Sequence, residues 1–582
     1  MQKQLSLNYP FLNRYTVWGS LFLIATIFSF SATGIFHQNI FNSNGITQLF
    51  QFFQAAFHPD FSRQILMVTW DAAIITFAYA VCGTFCSIFL GIIGGLLASE
   101  IWWLTISPRN KFTQFIWLTV RFFLAIPRAI HELIWGLFFV NIWGLDPLVG
   151  IAAIAIPFGA TVAKVFSEIL DETPRQSLQI LLNSGVKPLT AFIYTLIPQA
   201  FLNLVSYTFY RFECSLRSAA VLGIIGAGGL GYQIFLSLQS LRYEQLWTFF
   251  YTLFILNGVV DLTSACLRRR LGCSIRLNLV NSNSSLNSKM FRKEVANKSP
   301  SLVLIRSNKK AYLSKVKLIL FIFSIILIIS FCFWYLDADL SKIWTAKTRY
   351  LLIDIIGNSF PPEVVDIAQL WRLSGQTLAM SILAIALAAL GGMLLSFGAA
   401  TNFFLPGGLL NPNPKANFSS IWAWLTLLST RAILLICRAI PAPIIALVVV
   451  FVIFPGILPG AIALGLHNLG ILGRLKAENL ENLDQRPILA LKAQGTPAAS
   501  LFLYGVLPLS LPRFIAYDLY RWEVCMRETV IVGLVGAGGL GKLLTEQLSS
   551  FDYQKVVVTL ACFILLTFMV DLVSGLARRG LR

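Results

Sequence analysis

Long runs without a single charge constrain this chain more than any other feature. Residues 318–336 hold nineteen such residues, 74–98 twenty-five and 378–401 twenty-four. A helix of roughly 20 apolar residues, rising ~1.5 Å per residue, crosses a ~30 Å hydrocarbon core. In lipid only helices and closed barrels satisfy their own backbone, and these runs are too long and too unalternating for barrel strands. The expected fold class is therefore all-α, integral to the membrane and polytopic. Composition agrees: 57% of the 582 residues are apolar and 12% charged, against about 25% charged in soluble domains. The first run, near 17–36, is long and is followed by no clear small-residue cleavage site, so it reads as a retained span.

The net charge is +19. In a soluble chain that would point to nucleic acid. Here it points to topology, because Lys and Arg collect in short cytoplasmic loops. From Arg268 to Lys317 there are thirteen basic residues and one acidic residue, Glu294, whereas Phe36 to Trp70 holds a single basic residue, Arg63. The first segment is expected in the cytoplasm and the second outside. The expected surroundings are a lipid bilayer, with no nucleic acid. The nine cysteines are scattered without a CxxC pair, and read as small buried side chains.

The chain repeats itself. Residues 207–231, YTFYRFECSLRSAAVLGIIGAGGLG, and 517–541, YDLYRWEVCMRETVIVGLVGAGGLG, are identical at twelve of twenty-five positions at an offset of 310. The same offset pairs Gly185 with Gly495, Pro198 with Pro508, Asp261 with Asp571 and Arg268 with Arg578. Six spans per copy are expected, near 17–36, 72–98, 115–142, 148–166, 194–215 and 244–267, then near 315–336, 374–401, 421–454, 457–473, 500–520 and 555–577. The reading is thus about 12 transmembrane helices in two tandem repeats, 1–270 and 315–582, joined by a basic, Ser/Asn-rich linker at 271–314. An even number of spans per copy makes the repeats parallel and puts both termini in the cytoplasm.

Several motifs are decoys. The Gly-rich segments, with Gly226, Gly228, Gly229 and Gly231 in the first copy and Gly536, Gly538, Gly539 and Gly541 in the second, match G-x-G-x-x-G in form. A dinucleotide fold needs that pattern between a strand and a helix. The second copy also reads G-x-x-x-x-G-K, but position 543 is Leu where a phosphate loop needs Ser or Thr. No ATP site, other cofactor or metal site is expected in the chain itself. The glycines read instead as a helix break lining a pathway or as a close helix crossing.

The charges ahead of the glycines are more informative. Arg211, Glu213 and Arg217 recur as Arg521, Glu523 and Arg527. Charges inside a span cost ~2.5–3.5 kcal/mol on insertion scales, so they need a reason. Glu213 and Arg217 stand four apart with the acid first, the favourable order for a helical ion pair. Arg211 is then left to attract an anion, or all three belong to a network joining the halves. Between Gly185 and Pro198, and between Gly495 and Pro508, lies an amphipathic stretch with Lys187 or Lys492 close by. It is expected as a short cytoplasmic helix that docks into a partner's groove.

A Gly followed thirteen residues later by a Pro in such a loop is similar to the coupling loop of type I ABC importer permeases. Residues Leu489-Ala490-Leu491 and Gln179-Ile180-Leu181 stand where that motif begins Glu-Ala-Ala. Four further features resemble the phosphonate importer permeases, the PhnE-type family. These are Phe360-Pro361-Pro362-Glu363, with Phe57-His58-Pro59-Asp60 as its looser copy; Arg438-Ala439-Ile440-Pro441, whose first copy keeps Ala125-Ile126-Pro127 with Leu124 for the Arg; the run from His467 to Glu478, whose first copy has Pro157 for the His but keeps Lys164 and Glu168; and the R-x-E-x-x-x-R ahead of GAGG. The resemblance covers roughly 50–270 and 355–582.

It implies the type I ABC importer permease fold, here as two permease domains fused into a pseudo-dimer in the inner membrane of a bacterium. It further implies two ATP-binding subunits and an external substrate-binding protein as partners, with ATP bound by the partners and no enzymatic role for this chain. The function implied is ATP-driven import of phosphonate or a related phosphorus oxyanion. The alternatives are an importer of the same superfamily for methionine or an osmolyte, and an ion-coupled secondary transporter, against which the repeated coupling-type loop argues. A membrane-embedded enzyme is weaker still, since no nucleophile–base pair or metal cluster repeats.

Overall fold

The computed structural model describes residues 14–33, 42–106, 110–270, 319–320, 322–363, 366–405, 408, 417–484 and 486–580. The expected linker at 271–314 lies outside the described residues. The first half comprises α1 (Arg14–Ser31), α2 (Ser43–Ala55), α3 (Arg63–Ala98), α4 (Glu100–Ile106), α5 (Lys111–Ala129), α6 (Glu132–Trp143), α7 (Pro147–Glu172), α8 (Gln176–Asn183), α9 (Pro188–Leu222), α10 (Gly229–Gln239) and α11 (Tyr243–Arg270). The second comprises α12 (Ile322–Tyr335), α13 (Ala346–Asn358), α14 (Ile367–Ala399), α15 (Asn417–Ala439), α16 (Ala442–Val450), α17 (Ile457–Glu481), α18 (Arg486–Ala493), α19 (Leu507–Val532), α20 (Gly539–Ser549) and α21 (Tyr553–Gly580). Among the described residues nine helices are long and apolar enough to span a membrane, a tenth span is the bent pair α5–α6, and α1 and α12 are shorter apolar helices. Together they make the expected dozen.

Small residues set the packing inside each half. Helices α3 and α7 approach so closely that a Cβ on Gly91 would lie 2.3 Å from Val162 Cγ1. In the second half a Cβ on Gly392 would lie 3.0 Å from the backbone nitrogen of Gly473. Without a hydrophobic drive between helices in lipid, such close backbone approach is the main source of association. Polar side chains inside the spans turn back on their own helix: Thr76 Oγ1 donates to Ala72 O, Thr84 to Ala80 O and Thr195 to Ala191 O. No hydroxyl of these three is left unsatisfied in an apolar setting.

The third span of each copy is not one continuous helix. In the first half α5 and α6 meet at 86°, with Ile130 extended and His131 capping α6 by accepting from Leu133 N through Nδ1. In the second half α15 stops at Ala439 and Pro441 is the N-cap of α16. These equivalent breaks correct the pairing of the R-x-x-P turn. Arg438 corresponds to Arg128, at the common offset of 310, so the first copy retains its arginine and has His131 where the second has Pro441. Pro127 lies inside α5 and makes no break.

The halves exchange elements. Helix α1 packs on α14 of the second half. Cys332 and Leu336 of the α12 segment pack against Ala78, Tyr79 and Cys82 of α3. Helix α6 reaches α20, and α15 reaches α11. Asn42 N donates to Val452 O at 2.8 Å, and Trp143 Nε1 to Thr348 Oγ1 at 3.0 Å. Neither half closes its own core, so the two form a single pseudo-twofold body.

Candidate functional site

Helix α9 stops at Leu222 and the chain turns through the glycine-rich segment into α10, which folds back along α9 and α3. Gly226, Gly228 and Gly229 all have positive φ, as do Gly536, Gly538 and Gly539. An L side chain would be strained at each of them. Space is as tight as conformation here. A Cβ on Gly231 would meet Ala220 O at 1.8 Å, and one on Gly541 would meet Val530 Cα at 2.6 Å. The turn is pinned to the second span by Leu230 N donating to Thr76 Oγ1 at 2.8 Å, and by Leu540 N donating to Thr377 Oγ1 at 2.9 Å. The motif thus binds backbone to backbone between helices.

Three of the four breaks converge on one apolar cluster. Leu133, just past the first kink, is fully buried against Val221 and Ile531, which precede the two glycine turns, with Leu137, Ile225 and Leu534 packed around them. Val221 and Ile531 occupy the same position in the two repeats. Equivalent positions meet only on the axis relating their copies, so this apolar cluster plugs the molecule along its pseudo-twofold axis. Tyr210 and Tyr520 are another such pair and lie within electrostatic reach of each other. They are 48% and 58% exposed. The charge motif lies along the helix between these two levels.

The charges form two pseudo-equivalent networks. Glu213 does not pair with Arg217, contrary to the expectation from spacing. It accepts from Arg268 Nη1 at 2.8 Å and from Ser264 Oγ at 2.5 Å. Glu523 likewise takes Arg578 at 2.6 Å. The last span's arginine can extend along its own stem to reach the acid, so tertiary contact overrides the helical pair. Arg217 and Arg527 face the last spans too: Arg527 is 3.9 Å from Asp571, and Asp261 is in electrostatic reach of Arg217. Asp261 also takes Arg438 of the other half at 2.5 Å, with Arg474 at 4.0 Å. Arg527 Nη1 donates to Arg128 O at 3.3 Å. Most of the R-x-E-x-x-x-R motif therefore ties each half's fifth span to its own last span, and the bond from Arg527 to Arg128 O crosses between the halves.

His467 sits on α17 with Nδ1 3.0 Å from Ile440 O at the second kink, in electrostatic reach of Glu528 and Arg521 of its own half and of Arg217 across the interface. Pro157, its equivalent, lies inside α7. Arg521 pairs with Glu528 at 2.7 Å and contacts Asn468. Sequence reasoning missed three groups here: Glu528, the first-half Glu132 that accepts from Ser218 Oγ at 2.7 Å, and the Lys476–Asp518 pair at 2.7 Å. Each occurs in one repeat only, so comparing repeats hides them. Their signal is the charge within an apolar run.

The loop toward the basic face also differs from expectation. The short helix precedes the glycine, as α8 and α18, and the stretch from Gly185 to Pro198 forms the first turns of α9. Gly185, with φ +81°, ends α8 in a Schellman turn in which Val186 N donates to Leu181 O. Gly495, with φ +78°, does the same for α18 through Thr496 N and Leu491 O. That turn satisfies the last carbonyls and favours glycine. Leu178 and Ile488 anchor these helices, while Ile180, Leu489, Lys187 and Lys492 remain exposed. Pro508 starts α19 after a π turn at 502–506.

Comparison with known proteins agrees with this architecture. The family model for the inner membrane component of binding-protein-dependent transport systems matches residues 91–272 and again 416–582. The phosphate-import permease protein PhnE of Mycolicibacterium smegmatis is 25% identical over 461 residues, which is 79% of this chain and 77% of that one. The phosphite transport system permease protein PtxC of Stutzerimonas stutzeri is 32% identical over 225 residues, 39% of this chain and 76% of its own. The putative cryptic phosphonate transport system permease protein PhnE2 of Escherichia coli is 37% identical over 118 residues, 20% of this chain and 94% of its own. The two family matches cover more than half of the chain. It belongs to the family of binding-protein-dependent transport inner membrane components, as a double-length member carrying the domain twice.

Proposed function

We propose that this member of the binding-protein-dependent transport family is the permease of an ATP-driven importer for phosphonate, phosphite, phosphate or a related phosphorus oxyanion. The observation that carries the reading is the axial junction: three helix breaks from two repeats meet at an apolar plug, with the arginines of the charge motif on the helices that lead into it. The relatives named for phosphate, phosphite and phosphonate supply the substrate class. Repeats 1–270 and 315–582, joined by a linker at 271–314, act as the two permease halves, with both termini in the cytoplasm. Helices α8 and α18, ended by Gly185 and Gly495, are the contacts for two ATP-binding subunits, whose ATP-driven closure rocks the halves. Lys187 and Lys492 lie beside those contacts, and Pro198 and Pro508 mark the first turns of the helices that carry the motion inward. An external binding protein delivers the anion to the opposite face. The residues facing the pathway are Arg211 and His467, with the glycine turns setting the shape of the plug.

The test is purification of the chain in mild detergent, with mass spectrometry of what accompanies it, followed by reconstitution. Two ATPase subunits per chain and ATP-dependent uptake of phosphite or phosphonate are expected. A stable chain without an ATPase that takes up solute along an ion gradient would replace this reading with a secondary transporter.

A further inference from the structure

The two repeats carry the same arginine in opposite electrostatic states. In the second half Arg521 is neutralised by Glu528 at 2.7 Å and also contacts Asn468. The offset of 310 places Ser218 where Glu528 stands and Phe158 where Asn468 stands. The first-half arginine therefore has neither partner. Arg211 makes no ion pair and no side-chain hydrogen bond among the described residues, and its Nε is buried without a partner. Its guanidinium carbon lies 3.8 Å from the centroid of the Phe158 ring. Glu213, the nearest acid in sequence, is occupied by Arg268 and Ser264. Ser218 is engaged by Glu132 at 2.7 Å and offers Arg211 no charge.

Stacking on a ring occupies the face of a guanidinium and leaves its N–H edge free. A desolvated cation without a counter-charge is costly inside a span, and a ring offsets only part of that cost. The groups around this edge are polar. Tyr207 and Tyr210, with ring centroids 5.9 Å apart, and Tyr520 from the other half all lie in electrostatic reach of Arg211. Tyr210 and Tyr520, equivalent residues of the two halves, are both exposed.

We propose that Arg211 is a one-sided oxyanion site in the pathway, binding a tetrahedral phosphorus oxyanion through its free guanidinium edge with tyrosine hydroxyls as further donors, while Arg521 is a structural cation. The inference rests on the importer reading and assigns the substrate's contact within it. A planar fork of N–H donors matches two oxygens of such an anion. One bare arginine rather than two suits transport, because a pathway site must attract its ion and still release it. The asymmetry of the fused chain makes this arrangement available, since a pair of identical subunits would carry two bare arginines or none.

The experiment uses the full chain with its ATPase subunits and binding protein in proteoliposomes, and measures ATP-driven uptake of phosphite, methylphosphonate and inorganic phosphate. Two variants are compared with the parent. Arg211→Gln removes the guanidinium. Ser218→Glu combined with Glu132→Gln leaves Arg211 in place but gives it the carboxylate that Arg521 has. Both are expected to lower the maximal uptake rate ~10- to 100-fold, the loss of charge-assisted hydrogen bonds to the anion. Stimulation of ATP hydrolysis by the loaded binding protein and the half-saturating concentration, set outside the membrane, are expected to stay unchanged. Arg211→Lys, which keeps the charge without the fork, recovers part of the rate. Parental uptake by Arg211→Gln or by the Ser218/Glu132 variant overturns the proposal, as does loss of ATPase stimulation in parallel with uptake in both, which would mark a purely structural arginine. A parent chain that imports a different solute and none of the three anions fails in another way: it removes the substrate class itself, and this site with it.

Discussion

Arg438 of the second half reaches across the interface to Asp261 of the first, with Nη2 2.5 Å from the carboxylate. The two side chains are 14% and 24% exposed, and Asp261 also lies 4.0 Å from Arg474. One acid on the last span of one half thus anchors the break of the other half's third span. The equivalent residues, Arg128 and Asp571, make no ion pair with each other among the described residues, and Asp571 has only Arg527 of its own half, at 3.9 Å. The tie is stronger on one side of the axis than on the other.

Asp261→Asn leaves Arg438 without its counter-charge in a half-buried setting. The loss of a charged hydrogen bond is expected to cost about 2 kcal/mol. It should lower the midpoint of thermal unfolding in detergent, and Asp571→Asn should lower it less. The exchange Asp261→Arg with Arg438→Asp restores the attraction and should recover most of the loss. Equal effects of the two Asn variants would contradict the asymmetry seen here.

Lys476 is fully buried, pairs with Asp518 at 2.7 Å, donates to Ala389 O at 3.0 Å and stands over the Phe514 ring. The first half has Phe166 and Thr208 at the same positions. The fold therefore accepts an uncharged solution at this site. Lys476→Ala strands Asp518 and should destabilise the chain by about 3 kcal/mol or more. Lys476→Phe with Asp518→Thr, the first-half pair, should be close to neutral. Unfolding midpoints of the two variants in one detergent check the contrast.

Much of this molecule is legible in its sequence. The uncharged runs and the offset of 310 between Gly185 and Gly495 report helices and duplication directly, because lipid leaves a chain few alternatives. The pairing of Glu213 is not legible. A helix spacing shows which side chains share a face, but Arg268 approaches from another span, and only the packed structure brings it to the carboxylate. The kink at Ile130 is equally hidden: its second-half equivalent is marked by Pro441, whereas His131 breaks the first-half span by capping, with no proline to announce it. The bare state of Arg211 becomes visible only when Phe158 and Ser218 are known to face it.

Gly495 has φ +78°, and a Cβ there would meet nothing within 4 Å. A substitution at Gly495 is thus strained in the backbone but not crowded. Gly495→Leu is expected to insert and fold, with a local cost of about 1 kcal/mol for the left-handed turn, while misplacing α18 against its partner. ATP-driven uptake should be lost with the amount of protein in the membrane unchanged. Normal uptake by this variant would remove the coupling role assigned to α18.

The plug on the axis sets the last expectation. Leu133, Val221 and Ile531 meet where both repeats present the same position, and all three are buried there. An apolar constriction excludes ions by staying dry. Ile531→Asp places a carboxylate against Val221 and Leu133. Burying it unpaired costs several kcal/mol, so the halves part there or water enters. Proteoliposomes loaded with phosphite should then leak it without ATP, while the parent holds it. The isosteric Ile531→Leu keeps the plug apolar and should stay tight. Equal retention by the Asp variant and the parent would show that the seal lies elsewhere along the axis.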